Sequence, residues 1–238
     1  MTRTVLVTGG TSGIGRAVAA RFAADGAEVH LTGRRAEAVE RTAAELGAHG
    51  VVCDATDPVA AAALAARFER LDVLVNAAGG LPAGPAATGS PLGDLLAVWQ
   101  ANLAQNLLGA VLTTEAVRPV LAPGGTVISL GSIGAERRGG SYGAAKAALA
   151  AWNAALSAEL APRGVSCNVI AAGYVEGTAF FGGALPEERR RALIEETHDG
   201  RPGTVEDIAA TAHFLASPGA RHLTGQTLHV NGGAHTTR

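Results

Sequence analysis

The stretch Thr4-Val-Leu-Val-Thr-Gly-Gly-Thr-Ser-Gly-Ile-Gly15 decides the fold of this protein. Its apolar, β-branched first half, residues 4–8, predicts a buried strand, and helical periodicity follows up to Ala24, before the helix-end signal Asp25-Gly26. The glycines between strand and helix allow a tight turn whose backbone N–H groups can approach a pyrophosphate at the helix N-terminus. The G-x-x-x-G-x-G spacing is weak alone, but its place between a strand and a helix favours nucleotide binding over an ordinary turn.

Strand-like and helical segments alternate along the rest of the chain. The strands read as continuous apolar runs, which is typical of parallel sheets with both faces covered. Strands separated by helices form βαβ units with right-handed crossovers. We therefore expect an α/β fold, a single domain over residues 1–238 with a doubly wound, Rossmann-type parallel sheet of about seven strands and helices on both faces. The predicted strands cover residues 4–8, 28–32, 50–53, 72–76, 125–130, 165–170 and 227–230, and the predicted helices cover residues 15–24, 36–46, 94–121, 141–160, 186–197 and 204–215, with a further helix starting at Asp57.

Composition and charge exclude several classes of function. The 238 residues are 47% hydrophobic and 17% charged, so the chain can bury a sizeable core. The formal net charge of -2 provides no basic excess for binding nucleic acid. No apolar run reaches the ~18 residues of a membrane span, and residues 1–4 lack a signal-peptide layout. Cys53 and Cys167 are too few for a disulfide framework, and the seven histidines lack the spacing of a zinc site or a catalytic triad, so we expect a cytoplasmic protein without a metal.

Tyr142 and Lys146 have the spacing of a catalytic acid–base pair. Four residues apart on a predicted helix, they share one face, with Cβ atoms ~5–6 Å apart. A free phenol has a pKa of ~10 and is a poor base at neutral pH, but a nearby ammonium lowers that pKa. Tyr142 can then donate a proton to a carbonyl oxygen or accept one from an alcohol. Because Y-x-x-x-K alone usually marks a polar helix face, this interpretation depends on the other motifs.

Ordered motifs along essentially the whole chain resemble those of the short-chain dehydrogenase/reductase family. They are T-G-G-T-S-G-I-G at residues 8–15, N-A-A-G at 76–79, N-L-L-G beginning at Asn106, Y-x-x-x-K at 142–146, R-P-G-T-V-E-D-I-A at 201–209 and T-G-Q-T-L-H-V-N-G-G at 224–233. The similarity is to the single-domain type that includes 3-oxoacyl-carrier-protein reductases. It implies an oxidoreductase that interconverts a ketone and a secondary alcohol by hydride transfer with a nicotinamide cofactor.

The resemblance also implies roles for four residues. Tyr142 is the general acid or base, and Lys146 assists it and holds the nicotinamide ribose. Ser132 matches the family's serine, which polarises the substrate oxygen. Ser129 then belongs to the strand, and Ser141 is a weaker alternative. Asn106 anchors a water that links Lys146 to solvent, with Asn102 as the alternative one turn earlier.

The end of the second strand favours NADP(H) over NAD(H). An acidic residue there would accept the ribose 2′-hydroxyl, but Gly33 occupies that position and Arg34 and Arg35 follow it. Guanidinium groups bind a phosphate well, with Arg34 expected to make most of the contact; the alternative is two solvated arginines at a helix start. The residues expected to bind the cofactor are Gly9, Thr11, Ser12, Gly13, Ile14, Gly15, Arg34, Arg35, Asp54, Ala55, Asn76, Ala77, Ala78, Gly79, Tyr142, Lys146, Gly173, Val175 and Thr178.

The chain departs from the family pattern at three places. Ala77 replaces a polar residue in N-A-A-G, and Ala172-Gly173 replaces Pro-Gly after the sixth strand. The interval between Ser132 and Tyr142 is shorter than usual for the family, so the loop that borders the substrate pocket is trimmed. These changes affect the choice of substrate more than the chemistry.

The substrate pocket is expected between residues 80–84, the trimmed loop and a lid over about 174–200. Tyr174, Phe180 and Phe181 are its expected apolar contacts, and glycines 182 and 183 could let the lid move. Arginines 189–191 could attract an acidic carrier, although a solvated helix face is the commoner reason for such a charge run.

Two other functions compete with the leading one. A catalytically idle nucleotide sensor usually loses the tyrosine or lysine, which this chain keeps. A nucleotide-sugar epimerase or dehydratase usually carries a much larger C-terminal region. We expect a small-molecule substrate, possibly carrier-bound, and a homotetramer or homodimer formed by the Ala-rich helices over 94–121 and 141–160.

Overall fold

The structure, a computed structural model, describes residues 2–84, 87–137, 139–183 and 185–237. Over these residues, seven strands form one parallel sheet in the order β3-β2-β1-β4-β5-β6-β7, which confirms the predicted fold class. The strands are β1 (Thr4–Thr8), β2 (Glu28–Gly33), β3 (His49–Val52), β4 (Leu71–Asn76), β5 (Leu121–Ser132), β6 (Ser166–Ala172) and β7 (Thr227–Val230). The helices are α1 (Gly13–Ala24), α2 (Ala36–Leu46), α3 (Pro58–Ala65), α4 (Pro91–Leu103), α5 (Gly109–Val117), α6 (Gly140–Leu160), α7 (Glu187–Glu195) and α8 (Val205–Leu215).

The strand order reverses direction at the centre of the sheet. The chain builds β2 and β3 on one side of β1 and then crosses to place β4 on the other side. The last residues of β1 and β4, Thr8 and Asn76, are direct neighbours in the parallel register. Because helices leave this point toward opposite faces, a crevice opens beyond the carboxyl ends of these strands.

Two apolar layers cover the faces of the sheet. Val5 and Val7 of β1 point into the layer formed with α1 and α8, and Leu6 points into the opposite layer formed with α3, α5 and α6. This alternation follows from the two-residue period of a strand. Cys53 and Cys167 are both free and buried, which agrees with the expected lack of a disulfide framework.

Helix starts follow the capping residues that the sequence provides. The Asp57 carboxylate accepts a hydrogen bond from the N–H of Val59 (2.8 Å), and Pro58 opens α3, as predicted. Thr204 and Asp207 form a reciprocal capping box at the start of α8.

The predicted helix over 94–121 is divided in the structure. It begins at Pro91, because Ser90 caps it, and a π-helical turn at Ala104–Leu108 separates α4 from α5. Regular helix ends at Val117, and a 3₁₀ turn containing Pro119 follows. β5 then begins four residues earlier than expected, because Leu121 already pairs with Leu71 before the register shifts.

The helical stretch Pro91–Val120 also differs from expectation in its hydropathy. It is long and apolar enough to cross a membrane by length and composition alone, with a mean hydropathy of 1.3, whereas the sequence analysis found no such run. Helices that pack inside a protein can have the same length and hydropathy as a membrane span. Contacts of α4 with α6 and of α5 with α3 show that this stretch packs on the rest of the molecule.

Candidate active site

A cleft of about 1410 Å³ opens at the carboxyl ends of the strands. It exceeds the roughly 300–1,000 Å³ of typical small-ligand pockets, so an extended dinucleotide and a substrate can share it. Among the predicted site residues, Asn76 and Asn106 lie behind its wall. The cleft is lined by the others, namely Gly9, Thr11, Ser12, Gly13, Ile14, Gly15, Arg34, Arg35, Asp54, Ala55, Ala77, Ala78, Gly79, Ser132, Tyr142, Lys146, Gly173, Val175 and Thr178.

The glycine turn is packed too tightly for side chains. A Cβ atom on Gly9 would lie 2.8 Å from the backbone of Ala78, and one on Gly15 would lie 2.3 Å from the carbonyl oxygen of Gly9. Gly13 has φ +51, in the left-handed region. The Thr8 hydroxyl accepts hydrogen bonds from the N–H groups of Ala77 and Ala78 (3.1 Å each), which holds the N-A-A-G segment against the turn.

The first turn of α1 suits an anionic ligand. Within the described residues, the Ser12 side chain makes no capping hydrogen bond, and residues 13–16 carry no acidic group. The positive end of the helix dipole therefore faces the cleft without a neutralising partner. Exposed N–H groups at such an end bind phosphate, so the turn fits the predicted pyrophosphate.

The far end of the cleft has the chemistry of an adenosine phosphate site. A Cβ on Gly33 would lie 2.7 Å from Thr11 Cγ2, so the acidic residue of an NAD site has no room there. Arg34 and Arg35 are exposed and line the cleft, and Arg35 occupies the N-cap position of α2. Two cations near the positive end of a helix are unfavourable alone and would be compensated by a phosphate.

Asp54 borders the same end of the cleft. Its carboxylate accepts hydrogen bonds from the N–H and the hydroxyl of Thr56 (2.9 and 2.8 Å). These bonds, with the nearby Arg34 guanidinium, hold the pKa of Asp54 below its ordinary value. The carboxylate of Asp54, one of the residues expected to bind the cofactor, is thus fixed and ionised at this end of the cleft.

Ser132, Tyr142 and Lys146 converge on the opposite part of the cleft. Ser132 ends β5 and its hydroxyl oxygen accepts a hydrogen bond from the N–H of Gly134 (3.0 Å). Lys146 is buried, and its ammonium donates to the carbonyl oxygen of Leu130 (2.7 Å) while lying 5.9 Å from the centre of the Tyr142 ring. The strand end and the helix face therefore present a hydroxyl, a phenol and an ammonium to one place.

The pKa of Tyr142 is shifted opposite to the expected direction. Burial raises it above the ordinary value, and a hydrogen bond with Ser132 opposes part of that rise. Burial also lowers the pKa of Lys146, to about 8, and the neighbouring lysine does not reverse the rise at Tyr142. The phenol is accordingly protonated at neutral pH, the form that serves as a proton donor.

The trimmed loop closes through glycine contacts. Cβ atoms on Gly139 and on Gly143 would each lie 2.3 Å from the carbonyl oxygen of Gly134, so the loop lies directly on the first turn of α6. This close approach brings Ser132 to Tyr142 across an interval shortened relative to the family. Arg138 of the loop lies outside the described residues.

Asn106 anchors the loop after β4. Its side-chain oxygen accepts from the N–H of Gly80, and its amide donates to the carbonyl of Gly80 (2.9 Å each). A Cβ on Gly79 would lie 2.9 Å from that oxygen and 3.2 Å from Lys146 Nζ, so Gly79 is the spacer between the two side chains. The π turn that carries Asn106 thus lies against the lysine.

The alternative polar residues have other partners. The Asn102 amide donates to Ser141 Oγ (3.0 Å), and Ser129 is fully buried in β5. The Asn76 amide donates to Thr114 Oγ1 (2.9 Å) beneath the sheet end, so its side chain supports the N-A-A-G segment from behind.

Comparisons with known proteins agree with this geometry. The sequence profile of the family described as Enoyl-(Acyl carrier protein) reductase matches residues 9–235. The chain belongs to the short-chain dehydrogenase/reductase family. It is an oxidoreductase of that family by descent, as the match extends through the glycine turn, the Tyr–Lys pair and the C-terminal strand.

Named relatives of this short-chain dehydrogenase/reductase cover nearly its whole length. The 3-oxoacyl-[acyl-carrier-protein] reductase FabG of Escherichia coli is 34% identical over 245 residues, covering 97% of this chain and 96% of FabG. The galactitol 2-dehydrogenase (L-tagatose-forming) of Cereibacter sphaeroides is 38% identical, with 95% and 92% covered. A short-chain dehydrogenase from Burkholderia cenocepacia, solved in complex with NADP, has a TM-score of 0.83 and 33% identity, with 98% and 97% covered.

An aromatic cluster lines the cleft beside Tyr142 in this short-chain dehydrogenase/reductase. Phe180 packs edge-on against Tyr142 (5.3 Å between ring centres), and Phe181 packs against Phe180 (4.9 Å) and Tyr174 (6.3 Å). The predicted apolar contacts are therefore adjacent to the phenol. Ala184, within the predicted lid, lies outside the described residues.

The cleft is also lined by three charged residues that the sequence did not single out, namely Glu136, Arg137 and Glu196. Arg137 of the trimmed loop forms an ion pair with Glu196 just after α7 (2.6 Å), and both line the cleft. Arg189 lines it as well, and Glu136 lies beside Arg137. The trimmed loop was predicted to border the pocket, but its partners lie about sixty residues and more away in the chain and have no local signal.

Proposed function

We propose that this protein is an NADP(H)-dependent oxidoreductase that interconverts a ketone and a secondary alcohol. The observation that carries the proposal is the meeting of Ser132, Tyr142 and Lys146 in the cleft that also contains the glycine turn. A sensor without catalysis would not need a phenol, a hydroxyl and a buried ammonium at one point.

The residues present fit NADP(H). The uncapped start of α1 would hold the pyrophosphate, Asp54 the adenine, and Arg34 with Arg35 the 2′-phosphate. The absence of room for an acid at Gly33 supports the phosphorylated cofactor. The related Burkholderia enzyme, at 33% identity, was solved with NADP, which supports the same choice. When bound, the nicotinamide supplies or accepts the hydride.

The side chains supply proton transfer and orientation. Tyr142, whose pKa is raised by burial, holds a proton at its phenol oxygen and donates it to the carbonyl oxygen during reduction. Ser132 Oγ accepts from the N–H of Gly134 and also hydrogen-bonds with Tyr142, so its hydroxyl is held beside the phenol, where it can hydrogen-bond to the same substrate oxygen. The hydrogen bond from Lys146 to the carbonyl oxygen of Leu130 fixes the position of the ammonium next to the phenol.

In the oxidation direction the same groups work in reverse. Tyr142 must lose its proton to accept one from the alcohol, and a raised pKa opposes that loss. The protonated phenol is the form that reduction uses, whereas oxidation requires its conjugate base. Asn106, which is adjacent to Lys146 across Gly79, is placed to anchor a water in a proton path.

The substrate is a small ketone presented against Phe180 and Phe181, free or linked to a carrier. Carrier linkage is supported by the relation to FabG and by Arg189 at the mouth of the cleft. The exposed guanidinium is accessible to an acidic partner there, whereas Arg137 is already paired with Glu196.

The proposal is tested by nucleotide binding followed by turnover. Binding of NADPH and NADH to the purified protein is measured by fluorescence, and NADPH oxidation is then followed with a panel of ketones that includes an acetoacetyl thioester. Preferred NADPH binding with turnover of any ketone supports the proposal. Binding without any turnover favours the idle sensor, and failure to bind either nucleotide contradicts the proposal altogether.

A further inference from the structure

Three potential metal ligands from separate parts of the chain meet beside the cleft. Glu136 belongs to the trimmed loop, His229 to β7, and His235 to the C-terminal segment. Glu136 Oε2 lies 2.5 Å from His235 Nε2, and Glu136 Oε1 lies 3.3 Å from His229 Nε2. One ligand atom from each residue lies within 4.8 Å of the other two. The histidines that are scattered in sequence are thus brought together by the fold.

The donor set has the chemistry of a zinc-type site. Two imidazole nitrogens and one carboxylate are preferred by Zn²⁺ and its neighbours in the transition series, whereas Mg²⁺ and Ca²⁺ prefer oxygen donors. With metal–ligand distances of about 2.0–2.1 Å, the ligand atoms of a tetrahedral site lie roughly 3.3–3.5 Å apart. The 3.3 Å between Glu136 Oε1 and His229 Nε2 already has that spacing, whereas the 2.5 Å contact between Glu136 Oε2 and His235 Nε2 must lengthen when an ion binds.

The C-terminal turn holds His235 in place before any ion binds. The Asn231 amide donates to the carbonyl of His235 (3.0 Å), and its side-chain oxygen accepts from the N–H groups of Gly233 (2.9 Å) and His235 (3.4 Å). Gly232 and Gly233 both have positive φ, which the tight turn requires. A ligand fixed in this way loses little conformational entropy on binding.

His229 is also immobilised by packing. Only 14% of its side chain is exposed, and its Nδ1 is buried without a hydrogen-bond partner among the described residues. Its other ring nitrogen, Nε2, faces Glu136 and the ring of His235, whose centre lies 5.1 Å away. The ring is therefore held with Nε2 toward the cluster.

We propose that Glu136, His229 and His235 bind a zinc-class divalent cation. The ion would join the loop that follows Ser132 to β7 and the C-terminal segment, at the point where Glu136 borders the cleft. It takes no part in the hydride transfer, and the proposal does not depend on the proposed function. The competing explanation is a carboxylate that forms ion pairs with two protonated imidazoles.

A second cluster at the other edge of the sheet serves as the matched control. Glu28, His30 and His49 also bring two imidazoles to one carboxylate. His49 is 60% exposed there, and the rings of His30 and His49 stack at 4.6 Å. A substitution at His49 therefore removes one histidine and leaves the cluster at Glu136 unchanged.

The test is calorimetric titration of ZnCl₂ into chelator-treated, tag-free protein, with Co²⁺ absorption as a spectroscopic check. His235→Asn and Glu136→Gln should each weaken Zn²⁺ binding by at least about tenfold, since loss of a ligand exceeds the effect of losing its hydrogen-bond partner. His49→Asn should retain that binding. Circular dichroism confirms that each variant is folded. Absence of binding in the unsubstituted protein, or binding that is lost in His49→Asn but kept in the other two, would overturn the proposal.

Discussion

Lys146 is buried with its ammonium 2.7 Å from the carbonyl oxygen of Leu130. Burial favours the neutral amine and the neutral phenol alike, so the pKa of Lys146 falls to about 8 while that of Tyr142 rises. The sequence correctly predicted that the two residues lie one turn apart on the same helix. The direction of the tyrosine shift was wrongly predicted, because a pattern five residues long says nothing about how much protein covers the pair.

Tyr142→Phe should stop turnover without affecting cofactor binding. It removes the only atom that transfers the proton in the proposed reaction, and a general acid contributes about 10²–10⁴ in rate. Measured as NADPH oxidation with an active ketone, kcat should fall by at least about 10². Tyr174→Phe, which removes a phenol that lines the same cleft, is the control and should keep most activity. Full activity in Tyr142→Phe would show that another group supplies the proton.

Arg34→Ala should discriminate between the two nicotinamide cofactors. A charged hydrogen bond contributes about 1.5–3 kcal/mol, so the Kd for NADPH should rise roughly 10- to 100-fold. The Kd for NADH, which lacks the 2′-phosphate, should change little. Arg41→Ala provides the control, since it removes the same charge from an exposed position on α2 outside the cleft. An equal loss of affinity for both cofactors would place the 2′-phosphate elsewhere.

The first turn of α6 is the element on which the trimmed loop depends. The carbonyl oxygen of Gly134 occupies the space that a side chain on Gly139 or Gly143 would fill. A short loop has few conformations that reach from β5 to α6, and here direct backbone packing closes it. The short interval between Ser132 and Tyr142 is visible in the sequence. The contact of Gly134 with the start of α6 is visible only in the tertiary structure.

Gly143→Ala tests this contact against helix propensity. Alanine in a helix interior normally stabilises by roughly 0.5–1 kcal/mol relative to glycine. Here its Cβ would meet the Gly134 carbonyl oxygen, and overpacking costs typically about 1–3 kcal/mol. We expect a lower Tm and a reduced kcat, because Ser132 moves relative to Tyr142.

Ala147→Gly is the control for that substitution. Ala147 is exposed on the same helix, so its replacement lowers helix propensity without touching the loop. Its Tm should fall while kcat stays near that of the original protein. If Gly143→Ala raised the Tm with unchanged kcat, the loop contact would be less tight than the structure indicates.

At the scale of the whole molecule, α4 has an apolar face that no other described residue covers fully. Leu92, Leu95, Leu96 and Trp99 recur at helical spacing on one face, with exposures of 77, 53, 58 and 40%. Contiguous exposed apolar side chains of this kind mark protein interfaces. The face lies on one of the two helices expected to form the homodimer or homotetramer, and it also accounts for the apolar character of Pro91–Val120.

Leu96→Glu should reduce the size of the assembly. A carboxylate at the centre of this face cannot be buried without a partner, so self-association should weaken. Light scattering after size-exclusion chromatography measures the mass of each species. Val59→Glu, at a 76% exposed position on α3, is the control and should keep the original mass. A monomeric original protein at micromolar concentration would contradict the expected oligomer.

The sequence by itself determined the parallel sheet, the glycine turn between β1 and α1 and the shared face of Tyr142 and Lys146. These features follow from local periodicity, from the handedness of βαβ crossovers and from the steric freedom of glycine, all of which act over short stretches of chain. Only the tertiary structure decided the raised pKa of Tyr142, the division of the long helix at Asn106 and the meeting of Glu136 with His229 and His235. Burial and contacts between distant segments depend on how the layers pack, and no short-range pattern records them.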